Sequence, residues 1–255
     1  MDRIILTDIE INYLGYLNKK DSLYGIETNL EKLTHSEVTK KFENAKRSLI
    51  EKKYIKLSKN NEIIISRIIY FITIVCFEAE KFIRIDIKKD KKSAFLINYY
   101  IYREGIIFVE KSRIKSNEFI FNIVKDFEDL KDDFLDILTL LSDVENKEFS
   151  KNININKEDF LELINGKKIK KNVNPFDDNI SYNIPEDVEK IFSKGILSVF
   201  IDFIDFTKNS EYKTVLIHNK NILGKCDIKN DEVEIKKLKL ADVYSDIDEF
   251  CSLII

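Results

Sequence analysis

Apolar positions along the chain change their period repeatedly, and each change marks an element. Ile9, Ile11, Tyr13, Leu14 and Leu17 recur at helical spacing behind Thr7-Asp8-Ile9-Glu10, a capping box in which Thr and Glu each satisfy an orphan backbone N–H. A second box, Thr34-His35-Ser36-Glu37, opens a helix with Val38, Phe42, Ala45 and Leu49 on one face. Two alternating runs at 54–57 and 62–65 flank the polar turn Ser58-Lys59-Asn60-Asn61 and predict a β-hairpin. The next stretch, 66–77, predicts a buried helix, with strand as the alternative because of its β-branched residues. Strand runs follow at 81–88, 94–102, 105–111 and 118–125, joined by turns short enough to favour antiparallel neighbours. Ile83, Ile85 and Ile87 line one face of the first run, whereas the second is apolar on both faces, as an inner strand is. A helix over 129–142 completes this stretch.

The order then recurs. A helix at 157–165 ends at Gly166, a loop covers 167–183, and a helix at 185–195 leads into strand runs at 197–206, 212–218, 222–228 and 232–238. A last helix, 240–253, turns Ala241, Tyr244, Ile247, Phe250 and Cys251 inward. Helix, four antiparallel strands, helix therefore occurs at 67–142 and again at 185–254. The expected fold class is α+β: pseudo-twofold duplicated helix and antiparallel-sheet halves, with an N-terminal winged-helix-like segment. Residues 1–66 form that segment, 67–152 the first half and 153–255 the second. Each half alone would leave one apolar sheet face uncovered, so the three are expected to behave as one cooperative unit.

Composition removes several chemistries. Of 255 residues, 44% are hydrophobic and 34% charged, which suits a sizeable core under a charged surface. The net charge of -3 supplies no bulk field toward nucleic acid or anionic lipid. The six glycines stand at least ten residues apart, so no phosphate-cradling loop and no nucleophile elbow is present. His35 and His218 have no partner at metal-ligand spacing, and Cys76, Cys226 and Cys251 sit among apolar neighbours as small buried hydrophobes. An odd number of widely spaced cysteines points to a reducing compartment. No catalytic residue, cofactor or metal ligand is assigned. The N-terminal run lacks the pattern of an export signal, and the longest apolar stretch is too short to span a membrane, so a cytoplasmic protein without a membrane partner is expected.

Four passages carry a family likeness. They are Leu6-Thr7-Asp8-Ile9-Glu10-Ile11 with Leu23-Tyr24-Gly25-Ile26 after it, the helix-to-strand passage from Ala45 to Ile55, the duplicated halves, and Gly224-Lys225-Cys226 followed by Leu238-Lys239-Leu240-Ala241-Asp242. Together they resemble the EspG-type chaperones of bacterial type VII secretion, including divergent Gram-positive relatives. Leu240 stands where proline is common in that family. The resemblance implies a non-enzymatic cytosolic chaperone, monomer or homodimer. Its partner is the helical tip of a secreted protein of the WXG-motif or a related kind, which it keeps soluble for export. Tyr99, Tyr100 and Tyr102 stand out as partner-binding residues, because adjacent tyrosines on a strand exceed what one core face buries; ordinary sheet packing is the alternative. Lys91 and Lys92 lie in a basic turn that could steer an acidic partner, or that is simply solvated.

The alternative function is a winged-helix DNA-binding transcriptional regulator reading through Lys40, Lys41, Lys46 and Arg47. Residues 1–66 hold twelve basic against ten acidic side chains, and Glu37, Glu43 and Glu51 interrupt the basic face, so no nucleic acid is expected as partner. A hydrolase built on scattered carboxylates has no ordering motif. The expectation of one cooperative unit is checked by calorimetry, which should show a single transition rather than two separated ones.

Overall fold

The computed structural model describes residues 3–20, 22–89, 92–103, 105–126, 128–130, 132–133, 136, 153–164, 197–219, 222–229, 232–237 and 245. In chain order these form β1 (Ile4–Thr7), α1 (Asp8–Leu17), α2 (His35–Glu51), β2 (Ile55–Leu57), β3 (Ile63–Ile65), α3 (Arg67–Phe77), β4 (Lys81–Lys89), β5 (Lys92–Tyr102), β6 (Gly105–Lys111) and β7 (Glu118–Val124). Then come β8 (Ile153–Asn156), α4 (Lys157–Ile164), β9 (Leu197–Asp205), β10 (Ser210–Asn219), β11 (Ile222–Lys229) and β12 (Glu232–Lys237). The fold is α+β with antiparallel sheet, as the periodicities predict. The helices expected at 185–195 and 240–253 and the loop at 167–183 lie outside the described residues, Ser245 apart. Of the helix expected at 129–142, residues 129–130, 132–133 and 136 are described and helical, as is 128 just before it.

Contacts divide the chain into two compact units. The first comprises Met1–Arg84, Ile97–Asp126 and Ile204–Ser210. Its strands lie in the order β1-β7-β6-β5-β4, with Leu6 opposite Phe119, Val109 opposite Phe121 and Tyr100 opposite Ile107. Ile11 and Leu14 of α1, Leu49 of α2, and Ile69 and Ile72 of α3 bury their side chains in one core with Tyr100, Ile107 and Phe121 of the sheet. Transfer of so many large apolar groups out of water is the main stabilising term. It also explains why α3 forms without a side-chain cap: Ser66 makes no capping bond, so burial rather than local hydrogen bonding holds this helix.

Capping does more elsewhere. Thr7 Oγ1 accepts the Glu10 N–H at 3.2 Å, and Glu10 Oε2 accepts the Thr7 N–H at 2.7 Å, which closes the box expected at α1. The same carboxylate, 1% exposed as a residue, also accepts the Ser48 hydroxyl and the Lys52 ammonium, each at 2.7 Å. Because every oxygen is satisfied, a buried charge is tolerated here, and it ties α1 to the C-terminal end of α2. The segment between α1 and α2 is strapped across the sheet. Leu23 and Ile26 are buried, the Tyr100 hydroxyl donates to the Tyr24 carbonyl at 2.5 Å, and Asn98 Nδ2 donates to the Gly25 carbonyl at 3.4 Å. Gly25 holds φ at +78°, and a Cβ there would stand 2.7 Å from the Phe82 ring, so only glycine fits.

The second unit comprises Ile85–Leu96, Phe127–Phe203 and Glu211–Ile255. Its strands run β9-β10-β11-β12-β8, and Phe160 and Leu163 of α4 pack on Val215, Ile217, Cys226, Val233 and Ile235. Two strands go beyond what the periodicities predict. β1 precedes the first capping box and pairs with β7, and β8 precedes α4 and pairs with β12. The duplicated pattern thus includes a strand-then-helix arm laid on the last strand of each four-strand run. The arms bury matching positions: Leu6, Ile11 and Leu14 about the cap residue Thr7, and Ile155, Phe160 and Leu163 at the same offsets about Asn156. The N-terminal segment keeps the expected helices and the β2–β3 hairpin, while β1 makes it part of the main sheet.

Replacing Glu10 by Ala removes the acceptor shared by Thr7, Ser48 and Lys52. Lys52 is partly exposed, so the cost sits at the low end for a buried pair, about 3 kcal/mol. Thermal unfolding should show Tm lower by about 10 °C.

Candidate functional site

The structure places two of the expected partner-binding tyrosines, Tyr99 and Tyr100, inside the protein. Tyr99 and Tyr100 are each 0% exposed. β5 is buried on both faces, so neighbouring tyrosines pointing in opposite directions are both covered. Tyr99 lies edge-on to Phe108, with ring centroids 5.3 Å apart, and Tyr100 packs against Phe82 at 5.2 Å. Burial pushes the Tyr100 phenol well above its ordinary pKa, in keeping with a neutral donor to the Tyr24 carbonyl. Tyr102 is half-buried, packs on the core and carries the Arg103 guanidinium 5.1 Å from its ring centroid. Tyr99 and Tyr100 therefore offer no free recognition surface. Lys91 and the side chain of Lys92 lie outside the described residues.

What the first unit exposes instead is the outer side of α3. Ile68, Tyr70 and Phe71 are 38%, 52% and 39% exposed, although the helix is apolar on its inner side as well. Two demands act on this sequence. Ile69, Ile72, Val75 and Cys76 fill the core, and a second set of large side chains is left facing solvent. Beside α3 a groove of 390 Å³ opens, with Ile68 and Ile72 on one wall, Ile4 of β1, Phe121 and Ile123 of β7 opposite, and Tyr54 and Arg3 also lining it. Arg3 is its charged lining residue and Asn122 adds a polar one. The size falls within the usual range for binding clefts, and an apolar lining with few polar groups suits an apolar side-chain cluster. Periodicity marks 66–77 as apolar beyond what a single buried stripe needs, but not which side stays open.

A second exposed aromatic pair stands elsewhere on this unit. Tyr24 packs edge-on against both Phe82 and Phe206, at 4.8 and 5.4 Å. Phe206 is held there by the turn after β9: its N–H donates to the Glu80 carbonyl at 2.9 Å, while Asp205 Oδ1 accepts the Thr207 and Lys208 N–H groups at 3.0 and 3.1 Å and the Thr207 hydroxyl. Burial alone would raise the Asp205 pKa. The Thr207 hydroxyl, the two N–H groups and the Lys208 ammonium outweigh it and hold the carboxyl below its ordinary value.

Among the described residues no group of His, Cys, Asp and Glu is arranged to hold a metal ion. Cys76 and Cys226 are buried thiols outside any disulfide, and burial pushes the Cys76 thiol well above its ordinary pKa, which suppresses the thiolate. His35 is exposed at the start of α2, while the side chain of His218 and Cys251 lie outside the described residues. Also among the described residues, no helix is long and apolar enough to cross a membrane.

Core and surface assignments separate cleanly by charge insertion. Tyr100→Glu should leave no native circular dichroism, because it buries an unpaired carboxylate and loses the bond to the strap. Phe71→Glu should fold with Tm within about 4 °C of wild type.

No family model and no curated protein sequence matches the chain. Among solved structures the fold is similar to that of the Mycobacterium tuberculosis type VII secretion system chaperone EspG5, whose structure is in complex with a PE25-PPE41 dimer. The likeness covers 97% of this chain and 95% of that one, with a TM-score of 0.55 and 7% sequence identity. At that identity the similarity is one of fold, and it extends over nearly the full length of both chains.

Proposed function

We propose that the protein is a type VII secretion-associated chaperone of the cytosol that binds the helical tip of a secreted protein and keeps it soluble for export. The observation that carries this function is the near full-length fold likeness to a type VII secretion system chaperone solved in complex with a PE25-PPE41 dimer. The exposed side of α3 and the adjoining groove support it with a physical means. An amphipathic helix laid against Ile68 and Phe71 would bury its apolar side chains there, and the contact would be driven by area removed from water rather than by any bond made or broken. Catalysis, cofactor and nucleic acid have no part in this function, and the protein acts as monomer or homodimer on a partner of the WXG-motif or a related kind. The basic turn containing Lys91 and Lys92 remains a proposed steering element for an acidic partner.

Co-expression with each product of the neighbouring genes, followed by affinity capture and titration calorimetry, tests the function. One helical secreted protein should form a stable complex, and the Ile68→Glu/Phe71→Glu variant should weaken it at least about tenfold while staying folded. A complex that survives the double change moves the surface elsewhere and leaves the function standing. If no neighbour binds, the chaperone reading fails.

A further inference from the structure

Among the described residues β1 lies at the end of the strand order, paired with β7 on one side only. In its antiparallel register Asp8 N–H reaches the Asn117 carbonyl at 3.0 Å, so Leu6 and Ile4 direct their backbone groups toward β7 and the intervening Ile5 and Thr7 direct theirs outward. Outward groups on an edge strand are a template for a further strand. Here two of them, the Ile5 carbonyl and the Thr7 N–H, are occupied by side chains of the same unit. Lys52 Nζ, from the cap residue just past the end of α2, donates to the Ile5 carbonyl at 3.1 Å and to Glu10 Oε2 at 2.7 Å, and that same Glu10 oxygen accepts the Thr7 N–H at 2.7 Å. One ammonium and one carboxylate thus cover an acceptor and a donor two residues apart, which is the spacing an incoming strand would read.

We propose that the Glu10–Lys52 pair is a lock on the β1 edge: it keeps the sheet of the first unit closed to strand addition, above all by a second copy of this chain pairing β1 with β1. The inference is independent of the chaperone reading, which concerns the side of α3. Self-pairing is the competitor to exclude because a strand pairing antiparallel with its own copy is self-complementary, with Ile5 facing Ile5 across the two-fold. Ile5 is 38% exposed and would add apolar contact to the two backbone bonds. An incoming strand would have to displace the ammonium from the Ile5 carbonyl and leave Glu10 short of its counter-charge, which makes opening unfavourable.

Removing Lys52 alone would strand the buried carboxylate, so the principal variant is Glu10→Gln/Lys52→Met. Gln keeps the capping box, and Met keeps the stem that packs along the helix end. Light scattering after size exclusion on the full chain should show its apparent mass rising with concentration toward about twice that of wild type at equal concentration, with slowed amide exchange at Ile5. Adding Ile5→Pro should restore the wild-type mass, because proline deletes the outward N–H without touching the ladder to β7. Lys52→Arg should behave as wild type. A folded double variant with wild-type mass at every concentration overturns the proposal, as does association that Ile5→Pro leaves intact. If the double variant lacks native circular dichroism, Lys52→Gln is measured in the same way: association reversed by Ile5→Pro supports the lock, and wild-type mass at every concentration overturns it.

Discussion

Along β5 the side chains of Ile97, Tyr99 and Ile101 point to one face of the sheet and those of Asn98 and Tyr100 to the other, and all five are buried. A strand covered on both faces can be accommodated only if separate layers are supplied for each, and much of the first unit follows from meeting that demand. On the Tyr100 side the layer is built from α1, α3 and the strap through Leu23 and Ile26, all contributing to one core. The strap is the unusual part, since it has little secondary structure to satisfy its own backbone. Tyr100 and Asn98 answer this by donating to the Tyr24 and Gly25 carbonyls, so two sheet side chains replace the partners that a helix would have found within itself.

Most elements are legible in the sequence because their periods are strong. The stripe Val38, Phe42, Ala45, Leu49 and the alternation through 81–88 leave one plausible conformation each, and the observed bounds of α2, α3 and β6 follow the pattern closely. β1 and β8 are hidden for a common reason. Each is only four residues long and ends at the cap of the next helix, and a four-residue run holds too little period to compete with the cap signal beside it. The tyrosines show a different limit. Tyr99 and Tyr100 do carry too much aromatic surface for one core face. Both are buried because each face of β5 is covered, and the strap and helices on the Tyr100 face come from residues 8–77, which no local window around β5 contains. The exposed side of α3 is hidden for the converse reason: the helix is apolar all round, and only the packing decides which of its sides is left over.

The two arms of the duplicated pattern also differ in their polar residues. Glu10 stands three residues after its cap and reaches back to close a box, whereas the matching position after Asn156 is Asp159, one methylene shorter. In the second arm the cap works in one direction, with Asn156 accepting the Glu158 N–H at 2.8 Å. The two arms therefore match at hydrophobic positions rather than at polar ones. Leu6, Ile11 and Leu14 find counterparts in Ile155, Phe160 and Leu163, while the carboxylate that joins α1 to α2 belongs to the first arm. Packing tolerates such drift in side-chain identity as long as volume and position are retained.

The pairing of β1 with β7 has a consequence for synthesis on the ribosome. The partner of residues 4–7 is residues 118–121, more than a hundred positions later in translation. At ordinary elongation rates that separation takes about 5 to 20 seconds to make. Throughout that interval the nascent chain carries β1 and the apolar face of α1 with no sheet to receive them, and Ile204–Ser210, also part of the first unit, follows later still. A chain with this topology is born with its first unit open, and β1 and α1 wait for their sheet until β7 has been made.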